Sequence, residues 1–256
     1  MLRLIAAALA LSAGMAGAED IKIGVTPGEH AEIMEQVVPL AKAKGLDIDV
    51  VEFSDYVVPN TALADGDLDA NSFQHVPFLE NQIKDRGFDI LAVAKTITTP
   101  MGVYSRKLTS LDDLPEGANV AIPNDPTNGG RALLVLAEKG VITVNPDAGL
   151  VPTVLDVTGN PKNLRFRELD AAQLPRALDD ADAAVINTNF ALAAGINPRE
   201  DAIAMEKADS PYANVIAVRK GDEDAPWLKT LVEVYHSPEI RQFIETKYEG
   251  AVIPAW

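Results

Sequence analysis

Cysteine is missing altogether from this chain of 256 residues. No disulfide can staple the fold and no thiolate can serve as nucleophile or metal ligand. Stability must therefore come from a hydrophobic core, which a chain of this length can build. Histidine is nearly as scarce: His30, His75 and His236 are the only three, and they are scattered without metal-ligand spacing. There is no G-x-S-x-G elbow, no P-loop and no H-E-x-x-H. These gaps argue against a hydrolase or nucleotide-driven enzyme, although a missing motif alone does not exclude an enzyme. Positive charge is in deficit too, with 22 Lys and Arg against 38 Asp and Glu. That balance disfavours nucleic acid and anionic membrane surfaces as partners and favours solubility. Aromatic residues make up only 5% of the chain, so each one in a polar turn carries weight.

The first eighteen residues read as a secretory signal: Met1-Leu2-Arg3, the apolar run Leu4–Leu11, then Ala16-Gly17-Ala18 as a small-x-small cleavage pattern. The apolar run falls short of the roughly 20 residues that a membrane span requires. Cleavage after Ala18 removes Arg3 and takes the formal charge from −16 to −17.

Beyond the signal, β-rich runs alternate with helical periodicity. Ile21–Val25 reads as a strand, Ala31–Lys44 as a helix closed by Gly45, and Asp47–Phe53 as a second strand. A short strand Leu68–Ala70 enters a helix through a polar, aromatic turn, with Pro77 suited to the first helical turn. Phe88–Ile97 is a long buried strand, broken by Thr98-Thr99-Pro100 before strand Met101–Arg106. A second unit begins near Ser110, with strands at Asn119–Ile122, Val154–Val157, Leu164–Glu168 and Ala183–Ile186. Its helices read as Arg131–Lys139, Ala171–Leu178 and Asn189–Ala194. Asn214–Arg219 is a strand able to cross back, and two helices, Trp227–Tyr235 and Pro238–Lys247, follow. The strand–helix–strand order predicts an α/β fold with parallel sheets under covering helices.

Several residues could carry chemistry. Arg131 follows Thr127-Asn128-Gly129-Gly130 and opens a helix, where a guanidinium beside free backbone N–H groups suits a carboxylate. The same arginine could equally be paired with a surface acid. Asn189 sits just past the strand Ala183–Ile186, and Asn214 opens the return crossover. An amide there offers a donor and an acceptor without adding charge. Asn187 reads as a local turn or cap residue instead. Tyr56, Phe73 and His75 follow strands of the first unit and could converge on one cleft, or Phe73 could be core and Tyr56 a loop cover. His30, in the first turn of the first helix, reads as a surface or capping group unless that helix end faces the cleft.

Three blocks, VTPGEHAEI (Val25–Ile33), DANSFQHVPFLE (Asp69–Glu80) and IPNDPTNGGRALLVL (Ile122–Leu136), resemble in order those of methionine-binding proteins of ABC importers, the MetQ/NlpA lipoprotein family. The resemblance runs over essentially the whole mature chain. It implies a two-lobed periplasmic-binding-protein fold of type II, with crossovers near Lys95–Met101 and Tyr212–Val218 acting as a hinge. Lobe 1 is then residues 19–98 plus 217–256, and lobe 2 is 99–216. It implies ligand contacts from Arg131, Asn189 and Asn214 at the amino acid's charged end and from Tyr56, Phe73 and His75 at its side chain. Aromatic faces suit a polarisable thioether. The implied ligand is L-methionine, with D-methionine, a Met-containing peptide or another small apolar amino acid as alternatives. The implied partners are a membrane permease and its ATPase, with no cofactor and no metal. The different-class alternatives are an enzyme on the same two-lobed scaffold and a non-transport interaction protein.

Relatives commonly carry a lipid-modified cysteine after the signal, so its absence here implies a protein free in the periplasm without a lipid anchor, as a monomer. Two further departures are Ser72, where an aromatic is common, and Glu29, where proline is common. Ser72 is expected to leave more room or a more polar wall at the site.

Overall fold

The computed structural model describes residues 19–256; the signal assigned to residues 1–18 lies outside the described residues. The chain opens with β1 (Glu19–Val25), α1 (Glu29–Ala43), β2 (Leu46–Glu52), α2 (Val58–Asp65), β3 (Ala70–His75), α3 (Val76–Arg86) and β4 (Ile90–Thr98). It continues through β5 (Gly102–Tyr104), β6 (Asn119–Pro123), α4 (Pro126–Glu138), β7 (Thr143–Val144), β8 (Val157–Gly159) and β9 (Arg165–Leu169). Then come α5 (Leu174–Ala177), β10 (Ala183–Ile186), α6 (Thr188–Ala193), α7 (Pro198–Asp201) and β11 (Ala202–Met205). The chain ends with β12 (Ala213–Arg219), α8 (Pro226–Tyr235), α9 (Pro238–Tyr248) and β13 (Ile253–Pro254).

Two sheets make the two lobes. One has six strands in the order β13-β4-β12-β3-β1-β2, the other five in the order β11-β5-β10-β6-β9. β1 pairs in parallel with β2 and β3, as the strand–helix–strand order requires, whereas β12 runs antiparallel between β3 and β4. The chain leaves the first sheet after β4 and re-enters it with β12, giving the two crossovers of a type II binding-protein fold.

Each lobe has its own core. In α1 the apolar positions Ile33, Met34, Val37 and Ala41 fall on one helical face and pack with Ile21, Ile23 and Val25 of β1 and with Leu231 and Tyr235 of α8. Burying each of the larger aliphatic side chains stabilises by roughly 1.5–3 kcal/mol. In the second lobe Val120 and Ile122 of β6 pack with Leu133 and Leu136 of α4. Among the described residues no helix is long and apolar enough to cross a membrane.

Local structure departs from the sequence reading in several places. The stretch expected as a short strand and polar turn is one continuous strand, β3, buried along its whole length. It lies inside the sheet with both faces covered, so its polar residues had to find partners. Asn71 and Gln74 do so in an amide cluster with Asn60 of α2, through bonds of 2.7–2.9 Å. The register with β12 slips between Ser72 and Gln74, making Phe73 the extra residue of a bulge. Val154–Asp156, expected as a strand, is a single 3-10 turn whose Asp156 carboxylate accepts from Thr153 N–H and hydroxyl, both at 2.8 Å. The helix expected over Ala171–Leu178 is a 3-10 turn running into the short α5.

Candidate functional site

A small, tightly closed cavity lies between the lobes. Tyr56, Phe73, His75, Arg131, Asn189 and Asn214 all line it. So do His30, Gln74, Phe78, Thr99, Asn128 and Asn187, which the sequence reading did not select.

The aromatic side of the cavity comes from the first lobe. The bulge in β3 and the turn after β2 bring Phe73 and Tyr56 to 5.9 Å between ring centroids. Phe78 in the first turn of α3 stands 5.9 Å from Tyr56 and 6.0 Å from Phe73. Phe190, from the second lobe, closes on Tyr56 at 4.9 Å. Tyr56, Phe73 and Phe78 thus form an apolar wall, with Phe190 packed behind Tyr56, and the contacting pairs sit at distances that favour tilted or edge-on contact.

His75 ends β3 and caps α3. Its Nδ1 accepts the Phe78 N–H at 3.1 Å, which places the ring proton on Nε2. Nε2 therefore donates across the lobe boundary to Asn128 Oδ1 at 3.1 Å. Burial and the nearby Arg131 charge lower the His75 pKa to about 3, so the ring is neutral. Asn128 in turn donates to both oxygens of Asp125, the N-cap of α4, at 3.1 and 3.0 Å.

Arg131 projects from the first turns of α4 and is only 2% exposed. Its partner is a buried acid, not the surface acid that the sequence left open. Nε donates to Glu206 Oε1 at 3.0 Å and to Oε2 at 3.2 Å, and Nη2 bonds both Glu206 and the Thr99 carbonyl. Glu206 also accepts from the Met101 N–H at 3.0 Å, and the guanidinium stacks 4.3 Å over Tyr212. Nη1 has no hydrogen-bond partner among the described residues, and it belongs to a residue that lines the cavity. Glu206 thus fixes and neutralises the guanidinium while one edge stays available to a carboxylate.

The asparagines bridge the lobes. Asn189 Oδ1 accepts from the Tyr56 hydroxyl at 2.5 Å, and its Nδ2 donates to Thr26 Oγ1 at 3.4 Å. Gly28 lies against the Asn189 backbone: a Cβ there would sit 2.4 Å from the Asn189 carbonyl oxygen, and its φ of +87° already favours glycine. Asn187, expected as a turn residue, caps no N–H of α6 with its side chain. Instead its Nδ2 donates to Asn128 Oδ1 at 2.8 Å, and its own Oδ1 is buried and unpartnered among the described residues. His30 is likewise not at the surface; it is buried, lines the cavity, and its Nε2 lies 3.4 Å from Asn214 Nδ2. Ser72 is buried in β3 but does not line the cavity, so it makes no wall of the site. Among the described residues no group of three or more His, Cys, Asp or Glu could hold a metal ion.

Comparisons with known proteins agree with this architecture. A sequence model of the family described as NlpA lipoprotein matches residues 21–256. The D-methionine-binding lipoprotein MetQ of Escherichia coli strain K12 is 47% identical over 239 residues, spanning 92% of this chain and 88% of that protein. A nutrient-binding protein from Burkholderia cenocepacia, solved bound to methionine, superposes with a TM-score of 0.90 at 53% identity. That match covers 92% of this chain and all of the other. The crystal structure of the methionine-binding protein MetQ gives a TM-score of 0.90 at 47% identity, covering 93% and 98% of the two chains.

Proposed function

Because the chain belongs to the NlpA lipoprotein family, we propose that it is the substrate-binding protein of an ABC importer, a binder and not an enzyme, and that its ligand is methionine. The observation that carries this reading is a cavity lined by both lobes, with aromatic side chains from the first and a buried arginine from the second. Arg131 Nη1 takes the ligand carboxylate, and the asparagines Asn189 and Asn214 take the rest of its charged end. Tyr56, Phe73 and His75 hold the thioether, where sulfur–aromatic contacts are worth about 0.3–1.5 kcal/mol. The relatives named for D-methionine and the solved complex with methionine support the ligand class.

In this reading residues 19–98 with 217–256 and residues 99–216 move as two bodies about the crossovers. β12 is already paired in the first sheet from Ala213, just ahead of that boundary. Closure presents both lobes to a membrane permease driven by its ATPase. The chain holds no cysteine to accept a thioether-linked lipid, so we place the mature protein, cleaved after Ala18, free in the periplasm as a monomer.

The test is a thermal-shift screen of refolded protein against the amino acids and both enantiomers of methionine, refolding serving to strip ligand carried through purification. Methionine at 100 times its dissociation constant should stabilise by about 2.7 kcal/mol, and the enantiomer giving the larger shift is the ligand. A shift with another amino acid alone overturns methionine; no shift with any amino acid overturns the class.

A further inference from the structure

The structure contains one buried acid that the binding scheme leaves unused. Glu29 is the first residue of α1, directly after Gly28, and is fully buried. Neither of its carboxyl oxygens has a hydrogen-bond partner among the described residues. The buried hydroxyls of Tyr235, from α8, and of Thr96 are likewise unpartnered among the described residues. An isolated carboxylate in such a place is costly, and burial raises its pKa to about 8, so near neutral pH the carboxyl holds its proton.

Only one ring separates this acid from the ligand cavity. His30 Nε2 lies 3.7 Å from Glu29 Oε1 and 3.4 Å from Asn214 Nδ2, and His30 lines the cavity. Among the described residues no carboxylate lines the cavity itself. Glu206 is committed to Arg131 and Asp125 to Asn128, so neither offers free negative charge. An amino acid entering this site would bring an ammonium group to a wall with no counter-charge of its own.

We infer that Glu29 is the selectivity residue for an α-ammonium group, acting through His30 as a positioning residue behind the cavity wall. Arrival of the ammonium favours the ionised carboxyl. The Glu29 O–H proton then leaves to solvent, no other bond changes, and the new negative charge pairs with the ligand's positive one across the imidazole. The other titratable groups facing Glu29 do not compensate it. Glu32 on the same helix adds repulsion, and burial keeps Tyr56, Tyr104, Tyr235 and Tyr248 neutral. The His30 ring is held neutral by its own burial, its pKa lowered to about 3.

This inference rests on the amino-acid reading of the cavity, and calorimetry separates the two. Methionine and the 2-hydroxy acid with the same thioether side chain are titrated into refolded wild-type protein near pH 7, in two buffers of different ionisation enthalpy. Methionine should release up to about one proton per site and the hydroxy acid none. In Glu29→Gln the release should vanish, and the preference for methionine over the hydroxy acid should fall about tenfold. Release that persists in Glu29→Gln, or an unchanged preference, overturns the inference and leaves the methionine reading intact. Equal proton counts for the two ligands on wild type overturn it without any variant. Failure of wild type to bind methionine removes the amino-acid reading and this inference with it.

Discussion

Glu206 and Glu29 are both buried carboxyl groups, in the second and first lobes, yet they have opposite surroundings. Glu206 meets Arg131 through Nε and Nη2 and accepts a backbone N–H as well. Glu29 has a neutral imidazole at 3.7 Å and no hydrogen bond among the described residues. Each environment sets what its acid can do. A charge already matched holds its partner in place and stays put; an unmatched acid is held neutral and can respond to whatever charge arrives.

The largest effect should come from breaking the matched pair. Arg131→Met leaves Glu206 buried and alone, which should cost about 3–5 kcal/mol by denaturant unfolding and abolish ligand binding. Adding Glu206→Leu to Arg131→Met should recover much of that stability without recovering binding. If the double variant unfolds as easily as the single one, Glu206 is not held in place by its pairing.

The second test uses pH on the ligand-free protein. Glu29 titrates at about 8 when folded against 4.5 when unfolded. Its stabilising share is therefore complete below pH 4.5 and is lost as pH rises to 8. His30 and His75 are lowered from 6.5 to about 3, so their share is complete above pH 6.5 and is lost as pH falls towards 3. Two histidines outweigh one carboxyl between these limits, and the contribution of these groups peaks near pH 6.5. Melting temperatures of Glu29→Gln should lack the decline between pH 6.5 and 8 and keep the acid limb. An alkaline decline identical to wild type would show that Glu29 is not the group behind it.

The smallest effect is expected where a charge pair stands in water. Arg199 of α7 donates to the Glu249 carboxylate at 2.9 Å and to its carbonyl at 2.6 Å, with side chains 51% and 70% exposed. Arg199→Ala should cost no more than about 1 kcal/mol and lose even that in high salt.

Much of this molecule was legible in the sequence because its signals are local. Alternating strands and helices gave the α/β class, but the helix expected to open at Arg131 starts at Pro126 under the Asp125 cap, so Gly129 and Gly130 lie within it and Arg131 projects from its second turn. Glu206 left no local mark, since its pairing with Arg131 depends on folding together residues 75 positions apart. β3 was read too short because its polar residues look like a loop until Asn60 is brought beside Asn71 and Gln74. Asn187 and His30 were read as cap and surface residues for the same reason: what draws each inward lies on a distant element. Glu29 stood out in the sequence only as a departure from the proline common in relatives; its place in the first turn of α1, its burial and its lack of a partner emerge only in the fold.

The position of β12 has a consequence for how the chain is made. Every strand of the five-stranded sheet lies between Gly102 and Met205, so that sheet can assemble once this continuous stretch is available. The six-stranded sheet cannot: β12, its inner strand between β3 and β4, is drawn from residues 213–219. Until those residues emerge, β3 and β4 have open edges, and unpaired strand edges are the usual template for association with other chains. A lobe begun first is thus finished last, and the interval between is when the nascent polypeptide most needs a chaperone to cover it.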